Sequence, residues 1–157
     1  MENLAQEMAQ EIQEKLQKGV ARTLVDIDLI NHLKEKSEIP FYDMKLIMIE
    51  DEDGFHLISM KGIGPSYHCI IAMTYMIEFE KNIIKILGGG RIKFEDSEFI
   101  ISDKSGSFGI MEKEKVDGIM KNLNVNFRMS YSSSCPLKGA EYSFGRIARE
   151  VYQVLSD

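Results

Sequence analysis

Two glycine-containing segments of the sequence have the residue types that an anion site needs. Gly88, Gly89 and Gly90 interrupt an apolar run, and glycines inside a strand usually mark a bulge or a close approach of other groups to the backbone. Arg91 follows directly, and a guanidinium beside bare backbone suits a phosphate or a carboxylate. The second segment, 105–109, precedes a helical pattern, and loop amides that lead into a helix can bind an anion. Taken alone, these segments favour a tight turn and a bulge over an anion site.

His68 is the histidine in the most informative position. It falls in the first turn of a predicted apolar helix over 67–79, for which Ser66 is the expected N-cap. The positive end of a helix disfavours an imidazolium and favours a bound anion, so a neutral His68 there could act as a general base. A polar residue that serves only the helix end is the more common case. His32 and His56 are predicted to be surface residues.

The composition limits the classes of function. A chain of 157 residues, 44% hydrophobic and 28% charged, fits one ordinary domain with its own core. A net charge of -6 argues against a general nucleic-acid or membrane binder, although a local basic site for a small anion is compatible with it. The longest apolar runs are too short to span a bilayer. The acidic, amphipathic N-terminus is unlike a signal peptide, so a cytoplasmic location is expected.

The cysteines and acidic residues do not follow the spacing of known reactive or metal sites. Cys69 and Cys135 form no C-x-x-C pair, and no His, Asp and Glu cluster has metal-ligand spacing. A cysteine phosphatase needs an arginine six residues after its nucleophile, where this chain has Tyr75 and Glu141. We therefore expect neither a metal nor a cofactor.

Hydrophobic periodicity predicts helices and strands that alternate with short links. The predicted helices span about 3–18, 29–36, 67–79, 111–123 and 144–155, with Asp26 or Asp28 as the cap of the second. The predicted strands span about 44–50, 55–61, 82–87 continuing at 92–94, 99–102 and 125–131, with Asp53-Gly54 as a hairpin turn. This order predicts a single α+β domain with a mixed β-sheet flanked by helices.

Three blocks in this order resemble the janus/ocnus family of small phosphohistidine phosphatases. They are Tyr67-His68 at a helix start, Leu-Gly-Gly-Gly-Arg-Ile at 87–92, and Ser-Gly-Ser-Phe-Gly at 105–109. The block at 87–92 is the most specific of the three. The resemblance covers residues 41–132. Residues 1–40 are then an N-terminal helical extension, and 133–157 are a loop and a C-terminal helix packed on the same domain.

The resemblance implies a compact α+β fold and removal of phosphate from protein phosphohistidine, or from phospholysine, without a metal. It implies that His68 is the catalytic base. Lys45, at the start of the first core strand, matches a phosphate-contacting lysine of the family. The implied phosphate-binding residues are Lys45, Tyr67, Cys69, Arg91, Ser105, Gly106 and Ser107, with Lys61 as an approximate match for a basic residue on the second strand.

The chain differs from the family at two places. Ile70 stands where the family has an aspartate two residues after the histidine, and Asp103-Lys104 replaces a tyrosine-glycine pair. The expected partner is a phosphorylated protein, and the terminal helices offer a surface for a homo-oligomer. Two other functions fit the same residues: a non-catalytic module that binds phosphate or a phosphopeptide, and an interaction protein that uses the terminal helices.

Overall fold

A computed structural model describes residues 4–61, 68–81, 83–102 and 110–130 of the chain. The helices in this part are α1 (Leu4–Gln17), α2 (Ile27–Glu35), α3 (His68–Phe79) and α4 (Lys113–Asn122). The strands are β1 (Arg22–Val25), β2 (Asp43–Asp51), β3 (Gly54–Lys61), β4 (Ile83–Glu95), β5 (Glu98–Ser102) and β6 (Phe127–Ser130). None of these helices has the length and apolar character that a membrane crossing requires. The helix predicted over 144–155 lies outside the described residues.

The six strands form one open mixed sheet in the order β1-β3-β2-β4-β5-β6. All neighbours are antiparallel except β5 and β6, which are parallel and are joined across α4. A parallel pair needs such a crossover, whereas β2 and β3 are joined by the predicted Asp53-Gly54 turn. The α+β class, the single domain and the mixed sheet with packed helices are thus confirmed. Strand β1 was not among the predicted strands.

Helices cover both faces of the sheet. On one, which we call the α3 face, Ile47, Ile49 and Ile58 pack with α1 and α3. On the other, the α2 face, Leu46, Met48 and Leu57 pack with α2 and α4. Because both faces of β2 are buried, this strand is apolar at successive positions and does not alternate with polar residues.

Helix α3 is apolar around most of its circumference because it lies between the sheet and α1. Ala9 and Ile12 of α1 belong to the same buried cluster as Ile70, Ile71 and Met73 of α3. Ile12 and Leu16, two residues of the four-residue apolar spacing that predicts α1, pack in the cluster that contains α3.

The glycines at 88–90 do not end a strand, and β4 continues through them. Ile47 of β2 pairs with Gly89 of β4, whereas Ile49 pairs with Ile86, so β4 contains one residue more than β2 over this interval. This extra residue is the β-bulge that the glycine run predicts. The bulge occurs in a central strand of the sheet, where it changes the direction of the β4 backbone.

His56 was predicted to lie at the surface, and this is wrong. Its Nδ1 lies 2.7 Å from Asp26 Oδ2, and its Nε2 lies 3.1 Å from Asp51 Oδ1. The Tyr75 hydroxyl donates to the other oxygen of Asp51 at 2.5 Å. A neutral imidazole can donate to one of the two carboxylates, and a protonated ring can donate to both. The network connects the β1–α2 junction, the β2–β3 hairpin and α3.

Asp26 occupies the N-cap position of α2, as expected, but its side chain does not cap the helix. Oδ1 accepts a hydrogen bond from the Leu57 amide at 2.9 Å, while Oδ2 faces His56. The Asp26 backbone is in the left-handed region, with φ 46°. Such a conformation is disfavoured for an L-residue, and these contacts with β3 hold it.

His32 was also predicted to be a surface residue, and it is buried against the α2 face. Its Nε2 lies 3.0 Å from the Tyr42 hydroxyl. Burial lowers the pKa of His32, and the nearby positive charges of Lys61 and Lys36 lower it further. Burial also raises the pKa of Tyr42. The ring follows Leu29 by one helical turn, which places it on the buried stripe of α2.

Asp51 is almost completely buried, and we expect its ionised form to stabilise the fold. Desolvation raises its pKa, but hydrogen bonds from Tyr75 and the Asp53 amide, with the charges of His56 and Lys81, outweigh this and hold the pKa below its usual value. An acid with a lowered folded-state pKa stabilises the protein above its unfolded pKa of about 3.9, and this contribution is lost as the pH falls through the folded value.

Asp51→Asn should therefore lower the free energy of unfolding by about 2–3 kcal/mol at pH 7. The difference from wild type should shrink once the pH falls below about 4. Urea unfolding of both proteins between pH 3 and pH 7 measures this, with the exposed neighbour Glu52→Gln as the control. A loss of the same size at pH 3 and pH 7 would contradict the role of the carboxylate charge.

Candidate functional site

Lys45 and Arg91 lie side by side at the centre of the sheet. They are direct partners in the register of β2 with β4, so both side chains point to the same face. This is the α3 face, because Lys45 and Ile47 alternate on β2. Two cations that the sequence separates widely are thus adjacent on two central strands.

Arg91 has an acidic neighbour that the sequence analysis did not single out. Its Nη1 donates to Asp43 Oδ1 at 3.1 Å, and both side chains are 40% exposed. An ion pair with this exposure contributes little to stability, so an incoming anion can compete with Asp43 for the guanidinium. Strand alternation in the sequence could have identified Asp43, because it precedes Lys45 by two residues and so lies on the same face of β2.

His68 is the first residue of α3 and lies against the backbone of β4. Its Nε2 is 3.1 Å from the carbonyl oxygen of Gly90. A carbonyl only accepts, so Nε2 carries the hydrogen, and a neutral ring then has its lone pair on Nδ1. Glycines at 89 and 90 have no side chain that could screen this carbonyl. The contact brings the imidazole beside Arg91, the next residue along the strand.

The electrostatics of this region favour an anion. The first turn of α3 contributes the positive end of a helix dipole, and Lys45 and Arg91 add two positive charges from the sheet beside it. The chain as a whole carries a net charge of -6, so this cationic group stands out against an acidic protein. A phosphate or carboxylate is the ligand class that such a group binds.

Gly88 accounts for the close approach that the glycine run predicts. It has φ 126°, a backbone conformation that L side chains rarely adopt. A Cβ at this position would lie 2.6 Å from the Ile110 carbonyl oxygen and 2.8 Å from the Met111 amide nitrogen. The Ile110–Met111 peptide is therefore packed directly on β4. Ser102, which pairs with Arg91, also lies beside this strand, so the described residues before and after segment 103–109 flank the same part of β4.

Lys61 and Ile70, which the sequence analysis compared with the janus/ocnus family, lie away from the Lys45 and Arg91 pair. Lys61 pairs with Arg22, follows Met60 of the α3 face, and therefore points to the α2 face, where its charge acts on His32. Ile70, which replaces the family aspartate, is 5% exposed and belongs to the core beneath α3.

Part of the predicted site lies outside the described residues. These positions are Tyr67, Ser105, Gly106 and Ser107, and for Cys69 the description covers its place in α3 but not its side chain. In the described part of the chain, no three His, Cys, Asp or Glu side chains are grouped closely enough to hold a metal ion.

Comparison of the chain with protein-family models and with curated proteins gives no match. The likeness to the janus/ocnus phosphatases stays a prediction based on the three sequence blocks. The structure contributes the placement of three of the residues that the likeness implies. Lys45 and Arg91 are register partners on β2 and β4, and His68 of α3 contacts the carbonyl of Gly90, the residue before Arg91.

Replacing Gly88 should be costly, whereas the same change at Gly118 should not be. Gly88→Ala forces a strained φ and a clash with the Ile110 peptide, and should lower the free energy of unfolding by about 1–3 kcal/mol or more. Gly118 lies in α4 with nothing near its Cβ direction, so Gly118→Ala should stabilise by about 0.5–1 kcal/mol. Denaturant unfolding of both variants tests the contrast. Equal effects would show that the contact at Gly88 is not a constraint.

Proposed function

We propose that this protein is a metal-independent phosphatase that hydrolyses phosphohistidine, or phospholysine, in a protein substrate. The observation that carries the proposal is the bond from His68 Nε2 to the Gly90 carbonyl, next to the Lys45 and Arg91 pair. It supplies a base of defined tautomer beside two cations. The resemblance of the sequence blocks supplies the class of substrate.

Lys45 and Arg91 bind the phosphoryl oxygens in this mechanism. Phosphoryl transfer spreads negative charge over these oxygens, and fixed cations lower the barrier most when they do not have to reorganise. Both residues stand on central strands, which restrains their backbones. The first turn of α3 adds its dipole. The resemblance implies that the amides of segment 105–107, which lies outside the described residues, add further oxyanion contacts.

His68 moves the proton. Nδ1 removes a proton from the attacking water while the water oxygen forms a bond to phosphorus. The bond between phosphorus and nitrogen breaks, and its electron pair returns to the leaving nitrogen of a protonated phosphohistidine, which departs as neutral imidazole. The products are inorganic phosphate and unmodified histidine, and His68 then releases its proton to solvent.

Hydrolysis of phosphohistidine, phospholysine and para-nitrophenyl phosphate by purified protein tests this proposal. We expect phosphate release from at least one of the two phosphoamides with excess chelator present. A protein that binds phosphate in an NMR titration but releases none would instead be a binding module. A protein that neither binds nor releases phosphate would leave an interaction protein as the remaining function.

His68→Ala should lower kcat by about 10²- to 10⁴-fold, the usual loss for a general base. Binding of the product phosphate should persist, because Lys45 and Arg91 remain. Steady-state kinetics and a phosphate titration followed by NMR measure the two effects separately. Turnover within a few-fold of wild type would overturn the assignment of the base.

Arg91→Met and Lys45→Met should weaken phosphate binding and raise KM, because each removes a charge and keeps most of the aliphatic chain. A fall in kcat would accompany this if the contact tightens in the transition state. Arg22→Met is the matched control, since Arg22 is exposed on the edge strand β1 and points to the α2 face. If the two site variants bind phosphate like the control, the cations are not the phosphate site.

The chemistry should depend on neither cysteine nor metal. We expect a Cys69→Ser, Cys135→Ser double variant to retain turnover, and we expect excess chelator to leave wild-type turnover unchanged. Circular dichroism of the double variant separates a loss of folding from a loss of chemistry. Abolished turnover in a folded double variant, or in chelator-treated wild type, would refute the proposed mechanism.

A further inference from the structure

A groove of about 520 Å³ lies at the end of the β2–β4 strand pair. One wall is the segment that joins α2 to β2, and the other is the end of β4 with the turn into β5. Its volume is in the range of ligand-binding clefts. The lining residues combine apolar and charged side chains and include Ile39, Phe41, Tyr42, Lys93, Phe94 and Glu95.

Phe41 has two unfavourable features at once. Its side chain is 93% exposed, far more than any other large hydrophobic residue in the described part of the chain. Its backbone has φ 61°, a conformation that is a genuine outlier for a bulky residue. Ile39, two residues earlier, is 47% exposed and lines the same groove. Exposed apolar groups at the rim of a groove mark an interaction site more often than an isolated exposed residue does.

Two residues of the groove, Lys93 and Glu95, lie on the same strand and face as Arg91, whereas Tyr42 and Phe94 of its lining pack against the cluster on the α2 face. Asp43, which contacts Arg91, pairs with Lys93 of the groove. Arg91, Lys93 and Glu95 are every second residue of β4, so their side chains lie on the same face of the strand. A strand rises about 3.3 Å per residue, so Glu95 lies about 13 Å from Arg91. An extended peptide advances by the same rise, so this distance corresponds to about four of its residues.

The charges of the groove favour a basic partner. Glu95 and Asp96 contribute two carboxylates, whereas Lys93 contributes one ammonium group, which lies 3.1 Å from Glu95. The candidate site next to it has the opposite sign, with Lys45 and Arg91 on the same strands. A ligand that satisfies both regions has an anionic group at one end and an apolar and cationic part at the other.

We propose that this groove binds the extended segment of the phosphorylated protein that flanks its phosphorylated residue. Phe41 contacts an apolar side chain about four positions from that residue, and Glu95 pairs with a basic side chain next to it. This inference rests on the proposed phosphatase function. It assigns the specificity of that function to segment 37–42, most of which precedes the region of family resemblance.

Nine-residue peptides with a central histidine test the proposal. One carries a Leu–Arg pair at each end, and its companion carries Leu–Glu pairs, so that either chain direction is sampled. We expect Phe41→Ser to lower the ratio of kcat/KM for the phosphorylated Arg peptide to kcat/KM for free phosphohistidine by about fivefold or more. Glu95→Lys should reverse the preference between the two peptides. Val20→Ser, an exposed apolar residue outside the groove, should change neither.

Binding of the unphosphorylated Arg peptide, followed by fluorescence anisotropy, keeps this test independent of turnover. If the peptide binds wild type more tightly than Phe41→Ser while no phosphoamide is hydrolysed, the peptide-binding role of the groove is supported and the phosphatase function is refuted. If wild type hydrolyses phosphohistidine but Phe41→Ser and Glu95→Lys treat both peptides like wild type, the groove proposal fails alone. If Phe41→Ser instead converts a dimer to a monomer in sedimentation without changing peptide binding, a second copy occupies the groove and the proposal is wrong.

Discussion

The pairing of β2 with β4, in the register set by the bulge, is the constraint on which the rest of the structure depends. It buries β2 between two layers of helices and places Lys45 opposite Arg91. The bulge needs a residue that tolerates φ 126° and the Ile110 peptide on its surface, and Gly88 provides both. A register shifted by one residue would turn the two cations to opposite faces and move the apolar side chains of one strand from one buried cluster to the other. Core packing and the candidate site are therefore specified by the same contacts.

Most of the secondary structure follows from local patterns, and so does the α+β class. Helices α1, α2 and α4 have apolar stripes, and the Asp53-Gly54 turn identifies the β2–β3 hairpin. Strand β1 was missed because it has only four residues and gains its stability from pairing with β3. The glycine run predicted a bulge and a close approach, but which group approaches could not be read from the chain, because the Ile110 peptide comes from a distant segment.

The side-chain environments were the least predictable part. His32 lies on a charged helix and His56 on a hairpin strand, which suggested exposure, yet partners from other elements contact both rings. The position of Lys61 depends on strand parity, which turns it away from Lys45 although both are basic residues on neighbouring strands. His68 lies next to Arg91 through its contact with the Gly90 carbonyl, whereas the ion pair between Asp43 and Arg91 could be recognised only from the paired strands.

The β2–β4 pairing also bears on how the molecule folds. The two strands are separated in sequence by β3 and α3, so their contact closes a long loop, and contacts of this kind slow folding. Lys45, Arg91 and His68 come together only when that loop has closed and α3 has docked on the sheet. A partly folded chain with native α1, α2 and the β2–β3 hairpin would therefore contain ordered helices and a hairpin but no assembled cluster. During refolding, assembly of this cluster should coincide with long-range strand pairing rather than with the earlier gain of helical structure.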